Sequence, residues 1–317
     1  MVTDYVGVIG EALVDVVLSD TATPRAHVGG SPLNVAVGLA RLGENVLFTG
    51  RYGKDEYGDM VRDHLARNRV DSVLGPDDTA TSVATARLDP TGAASYSFDL
   101  DWTLPPAGEL SDLVRQALRR DGKERTLTHV HAGSIATMLE PGASTVMELL
   151  SALEPDVTLS YDPNCRPTIV PDRALARRRA EESVALADIV HASDEDLEWL
   201  YPDRPLEDTI VEWQRIEPAL VVVTRGATSI LCATAAGVSE HPVHPVEVAD
   251  TVGAGDSFTA ALLIALKDRG LLGADRREAL RSISPEDTTA VLAYAARAAA
   301  ITSSRPGADP PTRDELG

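Results

Sequence analysis

Short apolar runs alternate with amphipathic helical stretches along nearly the whole chain, and few architectures accommodate that order. "YVGVIG" (5–10), "NVLFTG" (45–50), "LTHVHAG" (127–133), "VTLSYDP" (157–163), "ADIVHA" (187–192) and "ALVVVTRG" (219–226) are short, apolar and bounded by turn residues, which predicts buried strands. Amphipathic stretches such as 32–42 and 173–187 lie between them. The expectation is an α/β fold, a doubly wound and mainly parallel sheet with helices on both faces. Two segments depart from the pattern. "EALVDVVL" (11–18) continues the first strand beyond a normal length, and "TSVATARLDPTGAASYSFDLDW" (81–102) alternates in polarity around a "DPTG" turn, as a β-hairpin does. Without a linker or an internal repeat, the prediction is a single domain over 1–317 carrying a small β-sheet lid from about 11–28 and 81–102.

Charge narrows the partners. The 317 residues hold 49 acidic and 29 basic side chains, a net charge of −20, which argues against nucleic acid, whose backbone needs clustered Lys and Arg. No apolar run approaches the roughly 20 residues of a membrane span, and the start of the chain carries Asp4 and Glu11 in place of a basic leader. Cys165 and Cys232, far apart, read as ordinary reduced thiols. A cytoplasmic protein is expected. His129, His131, His241 and His244 lack a third ligand nearby in sequence and read as structural.

The most telling stretch is "DTVGAGDSFTAALL" (250–263). Phe258, Ala261, Leu262 and Ala265 recur as the buried stripe of a helix whose first turn falls near Gly255 to Ser257. The N–H groups of that turn lack intrahelical acceptors, its dipole is positive, and Gly253 and Gly255 let the backbone come close to a ligand. Such a junction suits a phosphate. In the competing reading, Asp256 merely caps the helix and the glycines make a turn. No G-x-x-x-x-G-K-[ST], no third glycine of G-x-G-x-x-G, no G-x-S-x-G and no H-E-x-x-H is present. A second glycine-led helix begins at "GGSPLNVAV", with Ser31 as the expected N-cap, Pro32 at its first position and Gly43 at its end.

"DTVGAGDSFTAALL" resembles the C-terminal signature of the ribokinase-like (pfkB) carbohydrate kinases, and "GGSPLNVAVGLARLG" (29–43) resembles their N-terminal signature, most closely that of the bacterial fructokinases. The resemblance covers essentially the whole chain. It implies a ribokinase-like fold and an ATP-dependent sugar kinase using Mg²⁺, with K⁺ as a further candidate ion. For such an enzyme, the amides of Gly253, Ala254 and Gly255 would hold phosphoryl oxygens as an anion hole, and Asp256 would accept the proton of the attacking hydroxyl. With an ordinary pKa near ~3.9, Asp256 would orient the hydroxyl and take its proton late.

The resemblance further implies sugar contacts by Asp15, Gly29, Gly30 and Asn34. For Asp15 the alternative is an edge-strand acid facing water, and for Asn34 a solvent-facing helix residue. "YDPNCRP" (161–167) matches the family's D-P-N-x-R, which puts Asp162 and Asn164 on the phosphate, metal and nucleotide side. Arg166 either stabilises substrate charge or pairs with an acid. "VVVTRG" resembles the nucleotide-side loop, with Thr224 and Gly226 as candidate ATP contacts; an ordinary turn is the alternative. Asp250 is a candidate for a monovalent cation. Glu140 either reaches substrate or simply opens a helix. Where many relatives carry N-x-x-E, this chain has "SDED" (193–196), which puts activation by inorganic phosphate in doubt and leaves Asp196 to act on metal through water.

The hairpin charges Arg87, Asp89, Asp99 and Asp101 include no arginine after the lid aromatics, which favours an uncharged sugar over a keto acid. Fructose phosphorylated at O6 is the preferred reaction. Ribose or 2-keto-3-deoxygluconate kinases are the enzyme alternatives, and an inactive sugar-binding regulator is the alternative from another class. A lid with an apolar face would favour a homodimer.

Overall fold

The structure is a computed structural model that describes residues 3–19, 22–88, 94–122 and 125–317. Along the chain its strands are β1 (Thr3–Ile9), β2 (Leu13–Ser19), β3 (Ala22–Gly29), β4 (Val46–Thr49), β5 (Val70–Ser72), β6 (Ser82–Leu88), β7 (Ala94–Asp99), β8 (Arg125–Gly133), β9 (Thr158–Asp162), β10 (Ile189–Ser193), β11 (Leu220–Arg225), β12 (Ser229–Thr234) and β13 (Gly237–His241). The main sheet runs β13-β12-β11-β10-β9-β8-β1-β4-β5, parallel from β5 through β11. The expected parallel sheet is therefore present. Two antiparallel strands, β12 and then β13 at the edge, extend it beyond the sequence expectation. Chain order reverses at β1, with β4 on one side and β8 on the other, and such a switch point opens a crevice at the carboxyl ends of the strands.

Residues 11–18 do not prolong the first strand. The chain breaks at Gly10, where a Cβ would stand 2.2 Å from the Pro32 ring, and β2 then opens a separate sheet of order β3-β2-β6-β7. That sheet is the lid expected from about 11–28 and 81–102. The predicted hairpin pairs β6 with β7, while its "DPTG" turn lies outside the described residues. Strand alternation gives the lid two unlike faces. Val14 and Val16 point into the main core beside Tyr57 and Met60, whereas Leu13, Asp15 and Val17 line the cleft.

The helix Ser31–Arg41 starts one residue earlier than expected, with Gly30 at the N-cap (φ 108°) in place of Ser31. Gly43 follows its end at φ 96°, a left-handed position that suits glycine. The helix Ala254–Asp268 has no single apolar stripe: every residue from Ser257 to Leu266 is buried, because helices Ser31–Arg41 and Pro285–Ser303 both pack on it. Ser31–Arg41 approaches closely through Gly38, where a Cβ would lie 2.8 Å from the Ala260 Cβ. His129 and His131 are buried on β8 against Thr158 and Ser160, and burial pushes their imidazoles down to about 3 and about 4, so both stay neutral.

The Gly38 contact yields a test. Gly38→Ala should destabilise the protein by about 1–2 kcal/mol and lower turnover, because overpacking outweighs the gain in helix propensity. Adding Ala260→Gly should recover most of both losses. Denaturant unfolding of the two single variants and the double variant measures this; a stable, fully active Gly38→Ala would refute the close approach.

Candidate active site

The two glycine-led helices bring their first turns together at one carboxylate. Ser31 donates from Oγ to Oδ1 of Asp256 (2.6 Å), and Asn34 donates from Nδ2 to Oδ2 (2.8 Å). Asp256 therefore does not cap its own helix: that position belongs to Gly253, whose φ of 74° and whose missing Cβ, 2.6 Å from the Ala308 Cβ, both require glycine. The amides of Gly253 and Gly255 have no acceptor among the described residues, and both residues line the cleft at the positive end of the helix. The Ala254 amide turns back onto the Thr251 carbonyl (3.2 Å), so two of the three expected amides stand free.

Asp256 departs from the ordinary acidity expected of it. Enclosure by protein pushes its carboxyl up to about 6, with the Asp162 charge adding to the rise and the Ser31 and Asn34 hydrogen bonds opposing it. Around it extends a cleft of about 1490 Å³ between the main sheet and the lid. Asp15, Gly29, Gly30 and Asn34 line the lid side of this cleft, and Asp162, Asn164, Arg166, Asp196 and Thr224 line the side formed by the strand ends. Asp250, Gly253, Gly255 and Asp256 complete it. Gly226 lies outside, in an exposed turn at φ 51°, and the Ala254 side chain is likewise not part of the wall. Glu140 also stands away from the cleft, bonded to Ser144 and Arg179 at a helix start.

The ends of β8 to β11 are joined by side chains. Asn164 (φ 35°) donates from its backbone N–H to Asp162 Oδ1 (3.0 Å) and from Nδ2 to Ser134 Oγ (3.0 Å), and Ser134 itself sits at φ 57°. His191 Nδ1 lies 3.0 Å from Asp162 Oδ2 and 2.9 Å from Thr259 Oγ1, its Nε2 lies 3.3 Å from Thr224 Oγ1, and its ring stacks on Phe258. Burial opposes the charge on Asp162, but His191 and the Asn164 amide outweigh it and hold the carboxyl below the usual carboxylate range. Asp196 accepts from Ser193 N–H and Oγ on Oδ2 (3.0 and 2.6 Å) and from Cys165 N–H on Oδ1 (2.6 Å). Asp250 accepts from the N–H groups of Gly307 and Val252 (2.8 and 3.1 Å), and these bonds lower its pKa.

Arg166 has no carboxylate partner among the described residues; it donates to the carbonyls of Asn164 and Cys165 (3.3 and 2.9 Å). The hairpin charges do not face the ligand space. Arg87, Asp99 and Asp101 lie off the cleft wall, which the hairpin builds from Ala84, Ala86, Tyr96 and Phe98, because neighbouring residues on a strand point to opposite sides. Asp89 lies outside the described residues. Sequence reasoning missed His191, hidden inside the apolar run "ADIVHA", and Glu11, which is buried on the cleft wall; for Glu11, a polar residue just past a strand's end was the available signal.

The raised carboxyl of Asp256 sets a stability test. An acid whose folded pKa exceeds its unfolded value near ~3.9 burdens the fold once ionised, fully above about pH 6, and no longer does so below the unfolded value. Asp256→Asn should therefore melt a few degrees above the wild type at about pH 8, with the gap closing as pH falls toward about 4. Thermal melts at both pH values check this, and a lower melting temperature for the variant at pH 8 contradicts it.

The pfkB family carbohydrate kinase model matches residues 3–315. Fructokinase of Salmonella typhimurium is 33% identical over 270 residues, covering 84% of this chain and 85% of the relative. Probable fructokinase-2 of Arabidopsis thaliana is 31% identical over 317 residues, covering 95% and 90%. Among solved structures, fructokinase of Xylella fastidiosa with bound ATP superposes with a TM-score of 0.85 at 26% identity, covering 98% of this chain and 96% of that one. With the family model spanning almost every residue and both glycine-led helices meeting at Asp256, the chain belongs to the pfkB family of carbohydrate kinases.

Proposed function

We propose that this protein transfers the γ-phosphoryl group of ATP to the O6 hydroxyl of fructose, giving fructose 6-phosphate and ADP. The observation that carries the reading is the junction of Asp256 with the free amides of Gly253 and Gly255, bound to Ser31 and Asn34 from the opposite signature. Fructokinases at 30–33% identity support the choice of sugar.

Phosphoryl transfer has a loose transition state, so the protein's work is positioning and charge stabilisation. Asp15, Gly29, Gly30, Asn34 and Arg166 would hold the sugar with one hydroxyl against Asp256. A carboxyl near 6 is largely ionised at neutral pH yet far weaker than an alkoxide, so Asp256 orients the hydroxyl and receives its proton as the bond to phosphorus forms. The Gly253–Gly255 backbone faces the oxygens of the transferring group. Asn164 and Thr224, which line the cleft, are assigned to the nucleotide side, with Gly226 in the exposed turn beyond the cleft wall as a more distant contact.

Mg²⁺ would neutralise phosphate charge in this reaction. Its fit here is through water, since the oxygens of Asp162 and Asp196 already accept protein hydrogen bonds while both residues line the cleft. Asp250, which stands on the cleft wall, is assigned to a K⁺ site.

A homodimer through the lid is also proposed. The lid's inner face already packs on the core, but Tyr96 is 65% exposed beside Phe98 on its open face. Light scattering should give the mass of two chains at micromolar concentration, and the mass of one chain refutes this. A cytoplasmic site of action accords with the use of ATP and two unpaired cysteines, and no helix of the described residues is long and apolar enough to cross a membrane.

ADP release in Mg-ATP should be fastest with fructose among fructose, ribose, 2-keto-3-deoxygluconate, adenosine and fructose 6-phosphate. It should fall by about 10²- to 10⁴-fold in Asp256→Asn. Turnover confined to ribose or the keto acid would overturn the choice of sugar, and tight sugar binding without turnover would make the protein a regulator.

A further inference from the structure

Glu11 is 5% exposed and stands on the wall of the cleft, yet nothing assigned to the reaction uses it. One of its oxygens is engaged by Ser134, while Oε2 is buried with no hydrogen-bond partner. An unmatched carboxyl oxygen at such depth is costly in the free protein, and that cost is relieved by a ligand that brings a donor. Its neighbourhood is the sugar end of the cleft. Glu11 feels the charges of both Asp256 and Arg166, and its carbonyl oxygen would lie 2.5 Å from a Cβ at Gly30. It also precedes by four positions Asp15, which lines the same cleft. Arg166 lines the same cleft and, among the described residues, donates to backbone carbonyls alone.

We propose that Glu11 determines acceptor specificity: its unpartnered Oε2 receives a hydrogen bond from a hydroxyl of the bound sugar, and its carboxyl group disfavours acceptors that are themselves anionic. The inference rests on the sugar-kinase reading above. A neutral polyol offers hydroxyl donors to Glu11 and Asp15 and acceptor oxygens to Arg166, so it satisfies both kinds of group. A sugar phosphate or keto acid placed there would set a further negative charge beside Asp15, Asp256 and Glu11, whose carboxyl burial pushes up to about 7 and which is therefore fully ionised only above neutral pH. Discrimination of this kind arises from leaving a built polar site unsatisfied or repelled, and it exceeds what an apolar wall supplies.

The test is Glu11→Gln, close in shape but without the carboxylate, assayed in the full-length protein at about pH 8.5, above the value of about 7 to which burial pushes the Glu11 carboxyl. The KM for fructose should rise by about 10-fold or more, the typical cost of losing a hydrogen bond to a charged acceptor, while the KM for ATP stays within about twofold. The preference for fructose over 2-keto-3-deoxygluconate, taken as a ratio of kcat/KM, should shrink by a similar factor. An unchanged fructose KM and an unchanged preference overturn the inference. So do equal rises in both KM values accompanied by a lower melting temperature, which would make Glu11 a structural acid. Absence of wild-type turnover on every acceptor named above would remove the kinase reading and this inference together, whereas normal wild-type turnover on fructose with an unaltered Glu11→Gln removes this inference alone.

Discussion

Helix Ser31–Arg41 lies against helix Ala254–Asp268 at a spacing that only a missing Cβ permits, and the functional site hangs from that contact. Gly38 and Ala260 set the separation, and the same approach brings Ser31 and Asn34 to the two oxygens of Asp256. The residues concerned are more than 200 positions apart in sequence. Neither helix alone makes a site: one supplies amides and a carboxylate, the other the donors that orient the carboxylate. Packing and chemistry are thus one constraint, since a few tenths of an ångström between helices alters hydrogen bonds that depend steeply on distance.

A second layer of order lies at the carboxyl ends of β8, β9, β10 and β11. Ser134, Asn164, Asp162, His191 and Thr224 follow one another in hydrogen-bonding distance across four strands, and Thr259 ties the series to the helix below Asp256. Ser134 and Asn164 both occupy left-handed backbone positions without being glycine. Strain of that sort persists only where surrounding structure holds it, and here each strained residue is bonded to the other. The floor of the cleft is therefore cross-linked by its own side chains, which suits a reaction in which positioning is most of the catalysis.

Much of this was legible in the sequence. Apolar runs bounded by turns gave the parallel strands, because a strand buried on both faces carries little but Val, Ile and Leu. The glycine-rich starts of two helices carried the site, because a positive φ or a close approach leaves glycine as the fitting residue. What stayed hidden depended on long-range geometry. The break at Gly10 follows from the Pro32 ring, a contact that no local pattern records. Ser31 reads as a cap until its true partner, Asp256, is brought across from the other helix. The lid charges bear on the substrate less directly than their place in the hairpin suggests, because Arg87 and Asp99 fall on the strand positions that face away from the ligand space. The acidity of Asp256 was equally out of reach, since enclosure is a property of the assembled cleft.

The most direct measurement is a crystal structure of the protein with fructose and a non-hydrolysable ATP analogue. The expected result is the fructose O6 within hydrogen-bonding distance of Asp256, roughly 3 Å, in line with a terminal phosphate held on the amides of Gly253 and Gly255. A sugar seated elsewhere in the cleft, with Asp256 still satisfied by Ser31 and Asn34 alone and no phosphate at the helix start, would contradict it.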